Sequence, residues 1–139
     1  MKLLGIDYGR RRIGVAATDE SGTLARGIGV VDRKKRPDTY AALQEFVRSE
    51  KPDALVVGLP LDPDARETRM SREVRKFAGG LARHLSLPVH FVDESLTSRR
   101  ASELLLARKR AQRHNKEMVD RLSACLILEA FREGLVCDD

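Results

Sequence analysis

The chain contains no tryptophan, and aromatic residues make up only 4% of its 139 residues. So little ring surface argues against a stacking platform for unpaired bases. Cysteine is also scarce. Cys125 and Cys137 stand alone without metal-ligand spacing, which excludes a zinc cluster or a disulfide scaffold and fits a reducing compartment. Cys125 falls within a helical apolar run and is expected in the core. No apolar stretch approaches the roughly 20 residues that would span a bilayer, so no membrane role is expected. The opening Met1-Lys2-Leu3-Leu4-Gly5-Ile6-Asp7 has neither a long hydrophobic region nor a cleavage site. The expectation is a cytoplasmic protein. Repeats, low-complexity tracts and linkers are absent too, so residues 1–139 are read as one domain with a real core.

Charge is present in quantity but nearly balanced. There are 26 basic and 21 acidic residues, a net charge of +5 and a pI near 9.6. Its distribution says more. Arg99, Arg100, Arg108, Lys109, Arg110, Arg113, His114 and Lys116 cluster with Glu103 as the sole acid among them, and Arg10-Arg11-Arg12 forms a second knot. A solvated helix face or turn tip accounts for any one of these arginines. Two clusters flanking carboxylates also suit a polyanion-binding surface.

Three apolar runs come first: Leu3–Tyr8, Ile13–Thr18 and Leu24–Val31. Turn signals separate them, so they predict an antiparallel meander. Alternation follows. A helix from Pro37 to about Ser49 presents Tyr40, Leu43, Phe46 and Val47. A buried strand covers 54–58. A helix from about Glu67 to Leu85 carries Met70, Val74, Phe77 and Leu81. A strand begins at Pro88 and ends at Asp93. Thr97 or Ser98 caps a helix to about Arg110, Gln112–Lys116 is a loop, and a last helix runs to about Glu133, ended by Gly134. Right-handed crossovers make the later strands parallel to the first. The fold class is therefore α/β, a mixed five-stranded sheet with helices on both faces. Ligands of such sheets sit beyond the carboxyl ends of the parallel strands.

Carboxylates lie at those ends. Asp7 closes the run Leu3-Leu4-Gly5-Ile6, and Asp93-Glu94 closes Val89-His90-Phe91-Val92. Asp120 tops a stripe of the last helix that continues through Ala124, Ile127 and Phe131, with Lys116 one turn earlier. Helix starts favour acids in any case, which explains Asp120 but not the acids on the strands. Buried carboxylates are costly unless paired or bound to a cation, and acids on two strand ends and a helix suit divalent metal. Alternation sends Asp93 and Glu94 to opposite faces without saying which one meets the metal.

These residues carry a resemblance. The segment 7–16, Asp7-Tyr8-Gly9-Arg10-Arg11-Arg12-Ile13-Gly14-Val15-Ala16, resembles the opening motif of the YqgF family of Holliday junction resolvases and pre-16S rRNA nucleases. Val57-Gly58-Leu59-Pro60-Leu61 is similar to its second motif, Val92-Asp93-Glu94 with Leu96-Thr97 to its third, and Lys116 with Asp120 and Ser123-Ala124 to its fourth. The resemblance spans essentially the whole chain. It implies a ribonuclease H-like fold related to the RuvC resolvases. It also implies Asp7, Glu94 and Asp120 as catalytic acids binding Mg²⁺ or Mn²⁺, with Asp93 as a helper outside the first shell. The chain departs from the pattern at Ser95, at Met118 and over 62–66, where substrate contacts rather than the acids are concerned; Arg66, Arg99 or Arg113 are candidate replacements.

The expectation is metal-assisted phosphodiester hydrolysis, with Lys116 neutralising phosphate charge. Arg10, Arg11, Arg12, Arg66, Arg99, Arg100, Arg110, Arg113 and Lys116 are the candidate nucleic-acid contacts. His90 is expected to be a packed residue and His114 at most a phosphate contact. The first-choice substrate is pre-16S rRNA, trimmed at its 5′ end; the second is a four-way DNA junction. Other RNA or single-stranded DNA would offer the same phosphates. A monomer suits the first, and a homodimer is what a symmetric junction would need. Two other classes stand against this reading. Actin-like ATPases open with a similar strand and turn but clamp ATP between two such domains. A non-catalytic RNA-binding module would pair the acids with arginines and work through its basic face.

Overall fold

The computed structural model describes residues 1–94, 106, 109 and 116–137; of the expected helix over 97–110 only Leu106 and Lys109 are among them, both helical, and of the expected loop over 112–116 only Lys116, which instead opens the last helix. The meander forms as the turn signals require: β1 Leu3–Asp7, β2 Arg12–Thr18 and β3 Ala25–Asp32. Then follow α1 Thr39–Glu50, β4 Ala54–Leu59, α2 Arg69–Leu85, β5 Val89–Asp93, α3 Lys116–Arg132 and β6 Val136–Cys137. The sheet order is β3-β2-β1-β4-β5-β6. It has six strands, not the expected five. The addition is a two-residue strand antiparallel to β5, pairing Phe91 with Cys137 and Val92 with Val136. It forms because Gly134 takes φ +83° and its N–H bonds back to the Phe131 carbonyl at 3.0 Å, turning the chain onto the sheet edge.

Strand alternation divides the core into two layers. Leu4, Ile6, Val15, Val57 and Phe91 face α1 and α2, where Leu43, Val74, Ala78 and Leu81 cover them. Leu3, Ala16, Val56 and Val92 face α3, against Ala124, Ile127, Leu128 and Ala130. The first helix starts later than expected because Asp38 is its cap, accepting from the Ala41 N–H. The second starts at Arg69 rather than Glu67 because Thr68 and Ser71 form a reciprocal capping box. No helix among the described residues is long and apolar enough to cross a membrane. Cys125 sits half-buried beside the α3 layer, where desolvation and then Glu129 raise its thiol pKa. His90 packs on Phe131 with ring centroids 5.0 Å apart.

Candidate nuclease site

Asp7, Glu94 and Asp120 all lie at the carboxyl end of the sheet, on its α3 face. Asp7 shares the parity of Leu3, a residue of the α3 layer, so its side chain points to that face. On one side β1 pairs with β2, and the residue opposite Asp7 is Gly14. On the other side the β1–β4 ladder ends at Ile6–Val57, so the next residues along are Asp7 and Gly58.

Both flanking positions are glycine for a visible reason. A Cβ on Gly14 would stand 2.0 Å from the Asp120 carbonyl oxygen, so glycine there lets the start of α3 lie directly on β2. A Cβ on Gly58 would stand 2.2 Å from Glu94 Oε1 and 2.6 Å from its Cγ. The Glu94 side chain therefore occupies the hollow over Gly58. Its backbone N–H donates to the Leu59 carbonyl at 3.1 Å, which fixes the chain just past β5. One bare strand position lies on each side of Asp7: Gly14 admits the backbone that carries Asp120, and Gly58 admits the Glu94 side chain.

Asp93 stands apart. It is buried and follows Phe91 in parity, on the face of α1 and α2. Lys116 is exposed and opens α3, one turn before Asp120. Arg66 is exposed in the loop after β4. Ser95, Arg99, Arg100, Arg110, Arg113 and His114 lie outside the described residues.

The arginine knot is committed to carboxylates. Arg12 Nε donates to Asp120 Oδ2 at 2.7 Å, with both side chains about a third exposed or less. Arg11 pairs with Asp32 at 3.2 Å. Arg10 reaches Glu73 on α2 at 2.9 Å, and the Tyr8 hydroxyl donates to the same carboxylate at 2.8 Å. The Arg10 hydrogen bond, followed by that of Tyr8, lowers the Glu73 pKa. Arg33 lies over the Tyr8 and Phe77 rings and donates to the Gly9 carbonyl at 3.0 Å. The turn after Asp7 is thus clamped from the face opposite the acids. Sequence reasoning missed Glu73 and Arg33, which carry no local signal. It quoted Gly14 and Gly58 without a role, although glycine inside an apolar strand does signal close approach.

Among the described residues no three His, Cys, Asp or Glu side chains form a ready metal cage. The donor set nonetheless fits a hard divalent cation: it is carboxylate oxygen, with the Asp120 backbone seated on Gly14 and the Glu94 side chain over Gly58, the two positions beside Asp7.

A family model described as RuvX: Holliday junction resolvase matches residues 1–133. The chain belongs to the RuvX family. Among its relatives is a protein of Thermosynechococcus vestitus named "Putative pre-16S rRNA nuclease", 40% identical over 134 residues, covering 96% of this chain and 89% of the relative. A protein of the same name from Oleidesulfovibrio alaskensis is 42% identical over 131 residues, covering 94% and 91%. In solved structures the fold is shared with T. thermophilus RuvC in complex with Holliday junction substrate, at TM-score 0.57, 17% identity and 98% coverage of each chain. It is shared also with Fowlpox virus resolvase bound to Holliday junction DNA, at TM-score 0.59, 12% identity and coverage of 97% and 99%. The RuvX description and the relatives' names are those of nucleases, and the ribonuclease H-like architecture is common to the RuvC group.

Proposed function

We propose that this RuvX chain is a divalent-metal-dependent nuclease of the cytoplasm that trims the 5′ end of pre-16S rRNA. The observation that carries the reading is the pair of bare strand positions beside Asp7: Gly14 lets the Asp120 backbone lie on β2, and Gly58 makes room for the Glu94 side chain. Asp7, Glu94 and Asp120 would hold Mg²⁺ or Mn²⁺. The ion, when bound, supplies Lewis-acid activation of water and charge stabilisation at phosphorus. Asp7 is held in line by the β1–β2 ladder. Arg12 orients Asp120 through Oδ2, so Oδ1 is the oxygen offered to a cation. Lys116, exposed at the start of α3, approaches the phosphate and neutralises its charge. Asp93, buried on the opposite face of β5, is not one of the metal ligands in this reading.

Wild type and Asp7→Asn are assayed with Mn²⁺ on labelled RNA carrying the 5′ flank of pre-16S rRNA. Wild type should cleave it, and the variant should lose about 10³-fold or more, as when an electrostatic group central to catalysis is removed. Wild-type-like cleavage by the variant removes Asp7 from the site. A second reading, resolution of four-way DNA junctions, is favoured by the fold shared with RuvC bound to its junction. A symmetric junction needs two copies to cut two strands. Preferred junction cleavage by a species that light scattering shows to be a dimer would select it over RNA. A non-catalytic RNA-binding module would instead show no Mn²⁺ heat that Asp120→Asn abolishes.

A further inference from the structure

Helix α2 carries five arginines and lysines against a single acid, Glu73. That acid is taken up by Arg10 and Tyr8. Just before the helix, Glu67 is taken up by Arg75 and Ser71, with only a weaker pull from Arg72. Arg69, Arg72, Lys76 and Arg83 are left exposed, and none of them makes an ion pair among the described residues. Their spacing of three, four and seven residues keeps them on one face. At 1.5 Å per residue the row is about 21 Å long.

The row starts at the same end of the sheet as the acids, on the opposite face. Arg69 follows the loop that leaves β4, the strand whose Gly58 seats Glu94. From there it runs away from the carboxyl end of the sheet. Beside it an open groove of about 730 Å³ lies between α2 and β5, lined by Glu67, Arg72, Arg75, Gly79, Val89 and Phe91, with the Glu67 carboxylate held by Arg75. Four like charges on one face oppose isologous pairing of two copies through α2. They complement a polyanion.

We infer that the outer face of α2 is a second nucleic-acid site, a track that binds the phosphodiester backbone of the RNA as it leaves the catalytic end. It is separate from the arginines beside the acids, which are committed to carboxylates. Recognition is by charge along the backbone, in keeping with the shortage of aromatic residues. The inference rests on the nuclease reading only for where the strand is going; binding itself can be measured without catalysis.

The test uses the full chain with Asp7→Asn, in EDTA, and a fluorescein-labelled 20-nucleotide oligouridylate followed by anisotropy from 50 to 200 mM KCl. Arg69→Gln, Arg72→Gln, Lys76→Gln and Arg83→Gln are combined, and thermal melting verifies folding. Each phosphate contact contributes about 0.7 to the log–log salt slope of a single strand, so the combined variant should be shallower by about 2.8. Over the fourfold change in salt, the parent should therefore lose about 50-fold more affinity than the variant. Arg69→Lys, Arg72→Lys and Arg83→Lys together should keep the parent slope, because the charges remain. Arg48→Gln with Lys51→Gln, exposed at the opposite end of the sheet, should leave it unchanged. A slope change below about one unit, no binding by the parent, or an equal loss from the Arg48 and Lys51 control overturns the track. Wild type that cleaves RNA without any α2 dependence defeats the track and spares the nuclease. Wild type that cannot cleave, while the parent's binding depends on α2, does the reverse.

Discussion

Gly58→Ala separates the site from the fold. The added methyl carbon would sit 2.2 Å from Glu94 Oε1, 2.6 Å from Cγ and 2.7 Å from Cδ. To reach ordinary contact at 3.4 Å, Oε1 must move by about 1.2 Å. The three nearest atoms all belong to one exposed side chain, that of Glu94. The fold can therefore absorb the change, and stability should alter by about 0.5 kcal/mol or less. Activity cannot absorb it if Glu94 belongs to the metal set, because a displacement of about 1 Å at a reacting centre costs about 100-fold. The assay is kcat for Mn²⁺-dependent RNA cleavage beside urea denaturation. Gly58→Ala should also add nothing in a Glu94→Gln background, since both act through one carboxylate. Wild-type kcat in Gly58→Ala, or full additivity with Glu94→Gln, would refute the reasoning. Gly14→Ala is the counterpart. There the obstacle is the Asp120 backbone, with its oxygen at 2.0 Å and Cα at 3.2 Å, which cannot swing aside. That variant should lose about 1–3 kcal/mol as well as activity.

Two further outcomes concern stability. Thr68→Ala removes the acceptor of the Ser71 N–H at the start of α2 and should cost about 1 kcal/mol, read as a lower urea midpoint at unchanged slope. Glu73→Gln should be less stable than wild type at neutral pH. Its acid's folded pKa is depressed by Arg10 and Tyr8, so the contribution is present above the ordinary glutamate range and lost as pH falls through the folded value. The gap between the two proteins should close on acidification, and a gap that widens instead contradicts the assigned pairing.

Much of the site was legible one-dimensionally. The apolar runs Leu3–Ile6 and Val89–Val92 were enough to put acids at strand ends, and turn chemistry with the right-handed crossover was enough to put those ends together. The two-residue strand Val136–Cys137 was not legible, because it is too short to show a period. Nor were the partners of the arginine knot. Arg10 meets Glu73 across 63 residues of sequence and Arg12 meets Asp120 across 108, and no local rule spans such distances.

The sequence by itself determined the order of elements from β1 to β5 and the last helix, the family and which residue types were available for chemistry, since each rests on local period, turn residues or motif. Only the tertiary structure decided that Glu94 rather than Asp93 shares the face of Asp7, that Gly14 and Gly58 make room for the Asp120 backbone and the Glu94 side chain, and that Arg10, Arg11 and Arg12 hold carboxylates while the outer face of α2 keeps its charges exposed. The physical reason is common to all three. Strand alternation says that two neighbours differ in face, whereas absolute facing, close approach and ion pairing depend on what packs against each face from far along the chain.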